Sequence, residues 1–194
     1  MKTKRQASRE KRKQQQLRTR LIWGVVGLAL AAIIGYALWV AFRPTAGQSV
    51  PIMADTGHIP DDAVPGPYNS DPPTSGPHYA EDLPAGIYQE ADLAGLPEHP
   101  EGLLVHSLEH GYVIFWYNCD LLDEGGCSEL KEQIQGVMDQ SDNFKVIAFP
   151  WKSIDAPLVM TSWGKLQRFE SFNPAQARQF VERNRNHAPE PNAP

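Results

Sequence analysis

The sequence predicts an α+β protein: a single N-terminal transmembrane helix, then a small mixed or antiparallel sheet with two helices and a proline-rich wrapping segment. Three observations predict this. Leu21–Phe42 is a run of 22 residues without a charged side chain, and it follows nine Lys or Arg within residues 1–20. Between Pro44 and Pro100 lie 11 of the 17 prolines. After Gly102, short β-branched and aromatic runs alternate with amphipathic stretches, the pattern of strands and helices sharing one core.

The apolar run is long enough to cross a bilayer. At about 1.5 Å per residue, 22 helical residues reach roughly 33 Å against a hydrocarbon core of about 30 Å. Trp23, Tyr36 and Trp39 lie toward its ends, where amphipathic rings favour the interface. Basic residues precede it, so the positive-inside rule places residues 1–20 in the cytoplasm and the C-terminal domain outside the cell membrane. A cleaved signal peptide has a shorter apolar stretch of about 7–15 residues and a small-residue cleavage site. Here Arg43-Pro44 follows instead, which favours an uncleaved, single-pass anchor whose partner is the lipid bilayer. The formal charge of −5 divides into +9 through Arg43 and −14 beyond it. Nucleic-acid binding by the C-terminal part is excluded on that ground, because phosphate needs clustered cations.

The organisation expected is a basic tail (1–20), the membrane helix (21–42), a tether (43–54), one extracytoplasmic domain (55–187) and a flexible tail (188–194). Proline fixes φ and removes a donor, so the segment up to Pro100 is expected as loops and short strands laid over another layer. Gly111–Tyr117, Lys145–Trp151 and Pro157–Trp163 read as strands, the last turning at Gly164 into Leu166–Phe169. A helix is expected from Ser128, with Leu130, Ile134, Val137 and Met138 on one face. Asn173-Pro174 reads as an N-cap with proline at the first helical position, opening a helix to about Arg185 that buries Ala177, Phe180 and Val181.

Cys119 and Cys127 are the only cysteines, eight positions apart just after a predicted strand. In an oxidising compartment they are expected to form a disulfide that closes a loop. Their spacing does not match common zinc-thiolate pairs.

The histidines carry the chemistry. His58 ends Met53-Ala-Asp-Thr-Gly-His58, and His78 ends Asp71-Pro-Pro-Thr-Ser-Gly-Pro-His78. His106 and His110 flank Glu109 in Val105-His-Ser-Leu-Glu-His-Gly111. Imidazole is the commonest protein ligand for zinc and copper, and one helical turn from His106 would set both rings on one face. The alternative is a set of half-buried histidines bonded to backbone or to Glu109. His-x-x-Glu-His also matches the inverted zinc-protease pattern, with Glu109 as base. That chemistry needs a long helix and a distant third ligand, and Gly102 and Gly111 bracket the segment closely. Met138 belongs to a helical core stripe and Met160 to a strand. A thioether such as Met53 beside the rings would favour copper.

Gly57-His58, Asn69–His78, Val105–Gly111, Thr161-Ser-Trp-Gly164 and Arg185-Asn-His-Ala-Pro-Glu-Pro191 together cover most of residues 55–191. On these segments the chain resembles the DUF3105 family, bacterial membrane-anchored domains of unknown function. The resemblance marks the same histidine-bearing segments and does not include the cysteine loop. The expected function is binding of copper or, second, zinc at the cell surface. The expected ligands are His106, His110, His78 and His58, with Glu109 as a carboxylate orienting one imidazole. The rival is an interaction module of a membrane complex with structural histidines, and a metallohydrolase comes third.

Overall fold

The computed structural model describes residues 4–41 and 44–193. Two compact units result, Met1–Pro44 and Thr45–Pro194. The first is a single helix, α1 (Lys4–Ala41), within which Gln15–Trp39 is long and apolar enough to cross a membrane. That length and composition suit a membrane span or a signal sequence. Its large apolar side chains, Leu21, Trp23 and Leu28 among them, are exposed. Phe42 and Arg43, where the apolar run was expected to end, and Met1–Thr3 of the basic tail lie outside the described residues.

The second unit is built on a mixed six-stranded sheet. Its strands are β1 (Gln48–Ser49), β2 (Gly86–Ile87), β3 (Val113–Tyr117), β4 (Val146–Pro150), β5 (Leu158–Ser162) and β6 (Lys165–Phe169), ordered β1-β6-β5-β3-β4-β2. β4 runs parallel to both β3 and β2, and the pairs β3–β5, β5–β6 and β1–β6 are antiparallel. All five residues of β3, β4 and β5 are buried, as befits central strands covered on both faces. Strand alternation then divides β3 between two cores. Val113, Phe115 and Tyr117 face α3 (Glu124–Asp139) and α4 (Pro174–Asn184), whose stripes Leu130, Ile134, Val137, Met138 and Ala177, Phe180, Val181 complete one cluster. Ile114 and Trp116 face the other way, onto α2 (Glu101–Glu109) and the proline-rich segment through Leu103, Leu104, Leu108, Tyr79 and Leu83.

The two expected helices are α3 and α4, and the cap of α4 is as read, with Asn173 Oδ1 accepting from Gln176 N at 3.0 Å. α3 begins at Glu124, four residues before the expected start at Ser128. Asp123 caps it by accepting from Gly126 N, which outweighs the poor helix propensity of Gly125 and Gly126. Helix α2 is a third helix that the sequence pattern did not reveal. Seven consecutive residues from Gly102 to Leu108 are buried, so it has no polar face and no stripe of period 3.6 to read. Cys119 and Cys127 are disulfide-bonded, joining the end of β3 to the start of α3.

The proline-rich segment is a loop layer, as its composition predicts. Pro72–Gly76 are buried, Met53 N donates to Ser75 Oγ, and Gly164 N donates to Thr74 O. Part of the expected tether carries β1, which pairs with β6 and is fastened by Ala46 N donating to Asn184 Oδ1 at 2.9 Å. The C-terminal residues also make fixed contacts. Glu190 N donates to Glu109 O at 3.0 Å, and the buried Lys145 ammonium donates to the carbonyls of Pro191 and Ala193. Lys145 reaches His110 O as well, at 2.9 Å, so one ammonium ties the tail to the end of α2.

Candidate metal centre

Two segments of the loop layer and one helix meet at the histidines. His58 and His78 lie side by side in a short parallel bridge: Ile59 N donates to His78 O at 2.8 Å and His78 N to Gly57 O at 3.3 Å. Extended backbone in register sets their side chains on the same side, and the ring centroids are 5.0 Å apart. The bridge is seated on α2 at the next residue, where Tyr79 N donates to Gly102 O at 3.3 Å. A β-carbon on Gly102 would meet the Tyr79 ring at 2.5 Å, so only glycine permits this approach. Gly76, at φ +131°, turns the chain so that its own carbonyl meets the ring of His78.

From α2, His106 enters the same space, with its ring 4.9 Å from that of His58 and 5.1 Å from that of His78. Glu109 joins them. One donor atom from each of His58, His78, His106 and Glu109 lies within 4.8 Å of all the others. His58 is exposed, His78 and His106 are buried and Glu109 is intermediate, so the group closes a shallow site with one wet side. Glu109, expected as an outer carboxylate, lies within this group. His110 caps α2 and lies outside this group of four. Its ring is 4.3 Å from that of His106, and it sits between Asp82 (Nδ1 to Oδ2, 3.4 Å) and Glu190 (Nε2 to Oε2, 3.7 Å).

The protonation pattern follows from the hydrogen bonds. A carbonyl only accepts, so the 2.8 Å contact with Gly76 O puts a proton on His78 Nδ1. In the neutral ring Nε2 then carries a lone pair, which is buried and has no hydrogen-bond partner among the described residues. Yet Glu109 Oε2 lies 3.0 Å from it. The distance is that of a hydrogen bond, but the oxygen stands off the line along which a ring N–H would donate. A ring lone pair and a carboxylate this close repel each other unless a positive charge is shared by both. His106 Nδ1 is likewise buried without a partner. Burial first, then the rings of His110, His78 and His58, hold its imidazole below the ordinary histidine range, while Asp82 pulls the other way. His106 is thereby kept neutral, the form that binds metal.

A family described as a protein of unknown function, DUF3105, matches residues 62–194. The chain belongs to the DUF3105 family. The match takes in His78, His106, Glu109 and His110 and begins after His58. No curated protein and no solved structure matches the chain.

Sequence reasoning found the three clustered histidines but not the place of Glu109 beside them, because α2 itself was hidden. Within a helix His106 and Glu109 are i, i+3 and share a face as surely as i, i+4 does. Asp82 and Lys145 carried no signal, since their roles depend on contacts distant in sequence.

Proposed function

We propose that this DUF3105 chain binds a transition-metal ion through His58, His78, His106 and Glu109. The observation that carries the reading is the buried Nε2 of His78, without a hydrogen-bond partner among the described residues, beside the Glu109 carboxylate at 3.0 Å. Two donors about 2.0–2.1 Å from one tetrahedral ion would lie about 3.3 Å apart, close to that spacing. His78 also donates its other ring N–H to a backbone carbonyl, the outer bond that fixes the tautomer of a metal-binding histidine. Three imidazoles and a carboxylate suit zinc or copper(II), and the oxygen donor counts against copper(I). In this reading Glu109 is a ligand and not the base that the inverted zinc-protease pattern requires.

The ion is held outside the cytoplasm. Nine cations precede the apolar run, so α1 is an anchor with its N-terminus in the cytoplasm. The disulfide belongs to an oxidising compartment, in agreement with that orientation. Cobalt(II) added to the purified full chain in detergent tests the centre. Intense d–d absorption of a four- or five-coordinate ion is expected, and it is lost in His106→Ala while the far-UV circular dichroism is kept. Weak octahedral bands identical in both proteins would overturn the reading.

A further inference from the structure

We propose a second, weaker divalent-cation position between His110 Nδ1 and the Asp82 carboxylate, making the centre a two-ion site. The proposal rests on the reading above, because both positions are built against the same end of α2.

The arrangement at His78 is repeated here. Among the described residues His110 Nδ1 is buried without a hydrogen-bond partner, although Asp82 Oδ2 lies 3.4 Å away. A charged N–H···O pair closes to about 2.7–2.9 Å along the N–H axis. Two donors sharing a tetrahedral ion stand about 3.3 Å apart instead. On the far side of the ring, Glu190 Oε2 lies 3.7 Å from Nε2, the direction from which a carboxylate holds the other ring proton of a metal-binding histidine.

Both walls are fixed. Leu83 N, next to Asp82, donates to Ser107 Oγ on α2 at 3.0 Å. Glu190 N donates to Glu109 O, and Lys145 holds the carbonyl of His110 and that of Pro191.

The surrounding charge selects the ligand. Residues 44–130 contain no Lys or Arg and 15 Asp or Glu, and His110 and Asp82 lie in that stretch, while the nearby Lys145 ammonium is taken up by three carbonyls. Such a field draws in hydrated cations and repels phosphates and carboxylates. With only two protein donors, water completes the coordination, so this ion exchanges faster and binds more weakly than the one held by four.

Equilibrium dialysis of the full chain in detergent against buffered zinc chloride tests this. Two equivalents are expected, the second at least tenfold weaker than the first. Asp82→Asn, which keeps size and fold, leaves only the tight equivalent, and His110→Ala does the same. Saturation of the wild type at one equivalent overturns the second position and leaves the first standing, as does Asp82→Asn still binding two. Loss of the tight equivalent in His110→Ala reassigns His110 to the inner site and overturns the proposal. No zinc bound by the wild type overturns both.

Discussion

Replacing Gly102 by alanine tests whether the contact between α2 and the loop layer holds the centre together. In a free helix the change is favourable, by about 1 kcal/mol. Here the new methyl would stand 2.5 Å from Cδ2 and Cε2 of Tyr79. Carbon atoms pack at about 3.5–4.0 Å, so the ring must retreat by about 1 Å. Tyr79 cannot simply swing aside, because it is 2 % exposed and its hydroxyl donates to Ala63 O. Overpacking of this kind costs about 1–3 kcal/mol, which leaves a net loss of up to about 2 kcal/mol after the helix gain. For a unit of this size that lowers Tm by up to roughly 8 °C. His78 precedes Tyr79 and moves with it, and metal sites tolerate only about 0.2 Å in ligand distance. Zinc affinity should therefore fall about 10- to 100-fold, the range seen when supporting groups of a metal site are altered. Thermal unfolding of the metal-free chain and a zinc competition titration read the two effects. A variant equally or more stable, with unchanged zinc affinity, would refute the claim that this approach positions His78.

Other perturbations separate scaffold from site. Lys145→Met strands three carbonyls that now share one ammonium, and each such charged bond contributes about 1.5–3 kcal/mol, so denaturant unfolding should reveal a loss of at least that size. Replacing Cys119 and Cys127 by serine frees a short loop, with an expected cost of about 2.5 kcal/mol, while zinc stoichiometry stays unchanged because the loop packs with the α3 and α4 core. The pH dependence has a fixed sign. His106 is held below its ordinary value of 6.5, so the unfolded chain takes up a proton more readily than the folded one. Stability of the metal-free chain should fall as pH drops from about 7 through 6.5 and level off below the folded value, with a smaller fall in His106→Asn. An equal fall in both proteins, measured by thermal melts across that range, would remove His106 as the cause.

Elements whose burial leaves a pattern in the sequence were the legible ones. The stripes of α3 and α4, the cap at Asn173 and the apolar strands β3, β4 and β5 were all readable, because burial on one side leaves a period and burial on both sides of a strand leaves a β-branched run. α2 was invisible for the opposite reason: a helix buried from Gly102 to Leu108 shows neither pattern. That loss propagated to the site. His58, His78 and His106 could be grouped by residue type, but Glu109 takes its place only once α2 is known to continue through it. β1 escaped notice because two residues carry no periodicity, and the C-terminal residues because their order depends on Lys145, distant in sequence. Gly102 and Gly76 could be named as turn residues, but that one seats Tyr79 and the other aims a carbonyl at His78 is visible only in three dimensions.

The central claim is a metal ion held by His58, His78, His106 and Glu109, and metal content tests it most directly. The full chain, purified in detergent, would be offered zinc and copper in turn, desalted, and analysed by elemental mass spectrometry beside His78→Ala. The account predicts close to one retained equivalent in the wild type and almost none in the variant, with both folded by circular dichroism. A folded wild type that retains no metal, or a variant that retains as much, would contradict it.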